Sequence, residues 1–217
     1  MMTVAFVPMK LNNERLPGKN TLPFADGRPL FHSILRQLAC VTQIQKIYVY
    51  CSDPSIRELL PPGVELVLRS DSLDASTTKI NEVIQAFAKD VEADTYVMAH
   101  ATAPFLSAGS ISRMAQSVAI GAHDSAISVL AIREFLWRQS QPLNYDPTNI
   151  PRTQDLEEIW AETSGAWVFG KALALQGRRV GENPALIEVS KIEAMDINEA
   201  GDFVIAQAVL ASQNVTG

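Results

Sequence analysis

The chain has 217 residues, 47% of them hydrophobic, which suits one globular domain with a sizeable core. Its net charge of −6 argues against a nucleic-acid partner, which normally needs a basic face, but not against a small anionic ligand held by local charge. Cys40 and Cys51 make neither a disulfide framework nor a metal-type spacing, so a reducing compartment is expected. The first residues read straight into a strand with no charged-then-apolar signal, and no apolar run reaches membrane length. A cytoplasmic protein with no membrane partner is expected.

In chain order, Thr3–Val7 is a continuous apolar run of the buried-strand type, and Leu30–Val41 follows with helical spacing at Leu30, Ile34, Leu35 and Leu38. A strand at Lys46–Cys51, a short helix from Asp53, a strand at Glu65–Leu68, a helix at Lys79–Ala88 and a strand at Thr95–Ala99 come next. A helix at Ser110–Ile120 and a strand at Ser125–Leu130 continue the alternation. Arg133–Glu158 breaks it: Phe135, Trp137 and Tyr145, with Trp160 nearby, lie among polar residues and prolines, as an excursion from the sheet. Strands at Ala166–Phe169 and Ile187–Val189 and a last helix at Glu199–Ala211 close the pattern. The order predicts an α/β fold, with a mainly parallel sheet covered by helices on both faces. Ligands on such sheets bind outside the carboxyl ends of the strands.

Chemistry-bearing residues follow the strands. The loop VPMKLNNERLPGKNTLPF (Val7–Phe24) sets Lys10, Arg15 and Lys19 among Pro8, Pro17 and Pro23, which oppose a regular helix, while Asn12, Asn13 and Gly18 tolerate a tight loop. It is neither a P-loop nor a GxGxxG turn. One reading is a solvated surface loop; its place after the first strand, with LPGKN, favours a polyphosphate cradle. In MDINEAGD (Met195–Asp202), Asp196 and Asn198 alternate along extended chain, so both can face one way and offer oxygens to Mg²⁺. The competing reading makes Asn198 the cap of the last helix, with Glu199 and Asp202 favourable in its first turn. His100 and Thr102, in AHATAPF, read equally as turn residues, and Arg69, just after a strand, is ambiguous. PRTQDLEEIW (Pro151–Trp160) reads as a surface connection with a helix start at Asp155.

Taken in order, VPMKLNNERLPGKN, SD after the second strand, RSDSL after the third, HATAP after the fourth, PRTQDL, SGAWVF and MDIN resemble the acylneuraminate cytidylyltransferase family, which includes the CMP-sialic acid and CMP-Kdo synthetases. The resemblance implies a Rossmann-like nucleotidyltransferase sheet in a single domain over 1–217, with a small projecting dimerisation segment at about 133–160. It implies transfer of CMP from CTP to the anomeric hydroxyl of a 2-keto sugar acid, with Mg²⁺ and release of pyrophosphate, in a homodimer that shares sugar sites. On the family pattern Lys10, Arg15, Lys19 and Asp196 act in catalysis, and Pro8, Asn13, Asn20, Arg69 and Thr78 hold the nucleotide. His100, Thr102, Arg152 and Gln154 bind the sugar, Asp196 and Asn198 the metal.

Several positions depart from the pattern. Lys10 replaces an arginine, keeping the charge but not the planar fork; Glu14 adds a negative charge to the loop; Asn198 replaces the second carboxylate of DxD; His100 replaces a glutamine. These leave two alternatives: a nucleotidyltransferase of the same fold with a different sugar or alcohol acceptor, and a non-catalytic nucleotide-binding relative. A pure interaction module built on the aromatic excursion is a third.

Overall fold

β1 (Thr3–Pro8) shows how the sheet is built. All its central residues are buried, yet they sort by parity: Ala5 and Val7 join one apolar cluster, Val4 and Phe6 another. The sheet is therefore covered on both faces, as its continuous apolar runs require. In the computed structural model, which describes residues 1–215, the other sheet strands are β2 (Lys46–Cys51), β3 (Val64–Leu68), β4 (Thr95–Ala99) and β5 (Ser125–Ile132). The excursion contributes β6 (Trp137–Arg138) and β7 (Gln141–Pro142), after which β8 (Ile159–Gly170) and β9 (Pro184–Glu188) return to the sheet. Residues 216 and 217 of the expected domain lie outside the described residues.

The seven-stranded sheet runs β3-β2-β1-β4-β8-β5-β9. Only β8 is antiparallel to its neighbours, pairing Met98 with Trp167 on β4 and Ile127 with Trp167 on β5. One face is lined by small residues, Ala5, Val97, Ala99, Ala126 and Ala166, and is covered by α1 (Phe31–Ala39) and by a helix at Ala108–Ala119. The other carries a layer of aromatics under α2 (Ile80–Asp90), where Phe87 stacks on Phe6 at 4.1 Å and meets Tyr48, Tyr50 and Tyr96 edge-on. The Ala108–Ala119 helix is α3; α4 is Lys171–Leu175 and α5 is Ala200–Val215.

Topology places the site. β1 pairs with β2 on one side and β4 on the other, so the chain reverses its winding there and opens a crevice at the carboxyl ends of β1 and β4. A small satellite cluster closes one end: Phe24 and Leu30 from the first loop pack with Ile197 and Ala206, and Phe24 stacks on Phe203 at 5.1 Å. Glu193 fixes the approach to that segment, its carboxylate accepting from Ser107, Ser110 and Ser190.

The structure corrects the expected elements in a few places. β8 begins at Ile159, seven residues before the expected strand, because its first half pairs with the far end of β5 across a register shift. Trp160 therefore belongs to the sheet and packs against the aromatic layer rather than standing exposed. The helix after Asp53 is 3-10, Pro54–Leu59, with Asp53 accepting from the Ser55 N–H. Near Asp155 the structure has a 3-10 turn, Thr153–Asp155. In place of a strand at Ile187–Val189, β9 runs Pro184–Glu188. No helix among the described residues is long and apolar enough to cross a membrane.

Candidate active site

The crevice at the switch point is a cleft of about 290 Å³. Its lining includes Pro8, Lys10, Asn13, Lys19 and Asn20 from the first loop, Arg69 and Thr78 from the segment after β3, and His100 and Thr102 after β4. A larger hollow of about 510 Å³, bounded by Phe24, Arg28, Arg36, Phe105 and Leu210, contains none of the expected site residues.

The loop is held by its own backbone and by the segment near the last helix. Gly18, at φ 64°, turns the chain so that Lys19–Thr21 forms a 3-10 turn, and the buried Asn20 donates from Nδ2 to the Lys10 carbonyl at 3.0 Å. Lys19 Nζ donates to the Ile197 carbonyl at 2.9 Å, and Arg15 Nη2 to Asn198 Oδ1 at 2.7 Å. Burial holds the Lys19 ammonium below its ordinary pKa, partly offset by the Asp196 charge. Glu14 is exposed and does not line the cleft.

Across the cleft, Arg69 pairs with Asp74 at 2.6 Å and lies over the Tyr50 ring at 5.7 Å. Asp74 also takes the Ser52 hydroxyl, and its carbonyl accepts from Lys10 Nζ at 3.3 Å. The sequence reading missed Asp74 as the counter-ion of the cleft; the signal was its place directly after RSDSL. Thr78 closes that turn, its hydroxyl donating to the Ser72 carbonyl at 3.4 Å.

Four buried side-chain atoms have no hydrogen-bond partner among the described residues: Asn13 Oδ1, Asn20 Oδ1, Arg69 Nε and Asp196 Oδ1. Buried polar groups are almost always satisfied, and Asn13, Asn20 and Arg69 line the cleft, so their free atoms are available to a ligand or to water there. Asp196 also bears on the metal. Its Oδ2 accepts from Asn198 Nδ2 at 2.8 Å, which leaves Oδ1 buried and unpartnered. Asn198 spends its oxygen on Arg15, so service as a second ligand requires that contact to open. No group of three or more His, Cys, Asp or Glu residues suited to a metal exists among the described residues. One carboxylate oxygen nevertheless fits Mg²⁺, which is commonly held by one or two carboxylates plus phosphates and water. Of the capping alternative, Asp202 does stand in the first turn of α5 and accepts from the Asn198 and Glu199 N–H groups at 2.8 and 2.9 Å, but Asn198 is not the cap, its side chain being engaged by Arg15 and Asp196.

At the other end of the cleft, the His100 N–H donates to the Gly165 carbonyl and the imidazole lies 4.8 Å from the Trp167 ring. The Ile197 N–H donates to the Thr102 carbonyl at 2.9 Å, tying the HATAP turn to the Asp196 segment. Arg152 and Gln154 do not join the cleft of their own chain. Both are exposed on the excursion, and Arg152 is forked to Asp155 at 2.7 and 3.0 Å.

The sequence model of the family described as cytidylyltransferase matches residues 4–164. N-acylneuraminate cytidylyltransferase of Oncorhynchus mykiss is 24% identical over 213 residues, 94% of this chain and 49% of the relative. 3-deoxy-manno-octulosonate cytidylyltransferase 2 of Hydrogenovibrio crunogenus is 29% identical over 112 residues, 51% of this chain and 44% of the relative. The chain thus spans about half the length, or less, of these relatives. Among solved structures, a CMP:2-keto-3-deoxy-manno-octonic acid synthetase complexed with CTP matches with a TM-score of 0.75 at 15% identity, covering 98% of this chain and 100% of that one. The bifunctional IspDF of Campylobacter jejuni matches at 0.66 and 12%, over 94% and 54%. At these identities the solved structures establish a shared fold.

Burial, reinforced by the nearby Arg179 charge, lowers the His100 pKa from 6.5 to about 4, so the imidazole is neutral at pH 7. The unfolded chain then binds the proton more tightly. The stability due to neutral His100 is complete above pH 6.5 and is lost as pH falls toward 4. Denaturant titrations at pH 7 and pH 4.5 are expected to show this loss, on the order of 2–3 kcal/mol, with a smaller loss in His100→Gln. Equal losses in the two proteins contradict the assignment.

Proposed function

The chain belongs to the cytidylyltransferase family, and from that premise we propose that it transfers CMP from CTP to the anomeric hydroxyl of a 2-keto sugar acid. The carrying observation is the set of unpartnered buried atoms at Asn13, Asn20 and Arg69 in a cleft lined by cations, with the free Asp196 oxygen near Lys19. A cytidine triphosphate supplies acceptors for the cations and donors for the asparagine oxygens. The relatives named for N-acylneuraminate and 3-deoxy-manno-octulosonate support the acceptor class.

In this reading the acceptor hydroxyl attacks the α-phosphorus and gives up its proton to water, a new C–O–P link forms, the α–β bridge bond breaks and pyrophosphate departs. Such transfers depend on positioning and charge neutralisation more than on covalent chemistry. Lys10, Arg15 and Lys19 steady the triphosphate and the charge that leaves with pyrophosphate. Pro8, Asn13, Asn20, Arg69 and Thr78 hold the nucleotide, and His100 and Thr102 border the acceptor. Asp196 would hold Mg²⁺ through its free oxygen, and Asn198, donating to the other oxygen, would orient the carboxylate. The metal, when bound, neutralises phosphate charge and lowers the pKa of the attacking hydroxyl.

The excursion supports a homodimer. Trp137, Leu143 and Ile150 are exposed there, while Phe135 packs on Tyr145 at 4.5 Å and stiffens the hairpin. With Arg152 and Gln154 outside their own cleft, a two-fold dimer that lends them to the partner's site gives both a role.

Pyrophosphate release from CTP, measured against 3-deoxy-manno-octulosonate, N-acylneuraminates and related acids, with mass spectrometry of the CMP product, tests the transfer. Lys19→Ala and Asp196→Ala are each expected to lower turnover by roughly a hundredfold while the fold persists. Near-normal turnover in both removes this cleft from the reaction. For the dimer, sedimentation of wild type and Trp137→Glu is expected to give a dimer and a monomer, with activity falling in the variant. A fully active wild-type monomer defeats the shared site.

A further inference from the structure

Lys10, Lys19 and Arg69 line the cleft together with His100, and in the transfer reading these three cations are engaged by the triphosphate. A 2-keto sugar acid in its ring form carries its carboxylate on the anomeric carbon, beside the attacking hydroxyl. That carboxylate must approach a triphosphate and needs a positive partner of its own. His100 is neutral at pH 7, through burial first and the Arg179 charge second, and cannot serve. Arg152, the cation the motif nominates, stands exposed and forked to Asp155 on the excursion.

Arg179 is built differently. It follows α4 in a turn fixed by Gly177, at φ 69°, where an added Cβ lies 2.6 Å from the Asn81 carbonyl oxygen, so the turn is held against the start of α2. Asn81 Nδ2 clamps the same turn by donating to the Gly177 carbonyl at 2.7 Å. From there the Arg179 guanidinium lies over the Trp167 ring at 3.9 Å, and Trp167 stands 4.8 Å from the His100 ring. Glu162 Oε1 accepts from Arg179 Nη2 and from Trp167 Nε1, both at 2.8 Å, so it orients the cation and the ring together. Glu162 takes one of five guanidinium N–H groups. Arg179 makes no other hydrogen bond among the described residues, and its side chain is 27% exposed.

The geometry points to Arg179, stacked on Trp167 beside His100, as the residue that recognises the carboxylate of the acceptor. This rests on the transfer reading above. The planar fork pairs with a carboxylate through two parallel N–H groups, which a lysine cannot reproduce. Trp167 supplies a flat, partly desolvated bed that strengthens the pairing. Glu162 is a positioning residue, holding the fork by its far edge.

The test compares wild type, Arg179→Gln and Arg179→Lys, using the best acid acceptor from the panel and its carboxamide, with KM for CTP and for acceptor measured separately. Arg179→Gln is expected to raise acceptor KM for the acid by roughly thirtyfold, to leave KM for CTP unchanged, and to lose most of the preference for acid over amide. Arg179→Lys keeps the charge, serves if the glutamine variant does not fold, and is expected to fall between the two. An unchanged acid-over-amide preference in the variant that folds, with wild-type transfer intact, overturns the Arg179 assignment alone. Absence of transfer to any acid by the wild type overturns the transfer reading, and this assignment with it.

Discussion

Docking of the first loop onto residues 195–203 gives the cleft its shape, because two cations that would otherwise extend into solvent are held by that contact. Lys19 reaches the Ile197 carbonyl, Arg15 reaches Asn198, and Phe24 lies flat on Phe203. The apolar stack fixes the distance, and the polar contacts fix the direction of each cation. Asp196 is carried into position by the same segment, since the Ile197 N–H is tied to the turn that bears Thr102. The loop cations, Asp196 and the turn bearing Thr102 are thus mechanically joined through a few residues on either side of Ile197.

The electrostatics follow from this arrangement. An acidic protein concentrates Lys10, Lys19 and Arg69 around one crevice and supplies only partial compensation, chiefly Asp74 on Arg69 and Asp196 near Lys19. Bringing like charges together at partial burial is unfavourable, and an anion in the crevice relieves that repulsion. Near His100 the arrangement is one of stacking, with Trp167 4.8 Å from the neutral His100 ring and the Arg179 guanidinium 3.9 Å above the same indole.

Much of this was legible in the sequence where local chemistry and topology coincide. The continuous apolar run of β1, the prolines and glycine of the loop after it, and the alternation of strands and helices mark the crevice without knowledge of contacts, whereas Arg69 and His100 drew their site reading from the family resemblance. β8 was half missed because Ile159–Gly165 mixes apolar with polar residues and glycine, and its pairing with β5 depends on a register shift no short window reveals. Arg179 carried no motif, and α4 before it is five residues long, too short to register as periodicity. Its role depends on a tertiary stack with a tryptophan twelve residues earlier. Asn198 was read as ligand or cap because both follow from spacing, whereas its amide is claimed by Arg15 from the opposite end of the chain.

The central claim is that the unpartnered cleft atoms are completed by a cytidine triphosphate. Calorimetric titration of CTP into wild type and Arg69→Ala, with UTP and ATP as controls and no acceptor present, addresses it without depending on turnover. Saturable binding that favours CTP is expected, with affinity falling by roughly tenfold to a hundredfold in Arg69→Ala through loss of a charge-assisted contact. Binding of equal strength in the two proteins, or no binding of CTP by the wild type, contradicts it.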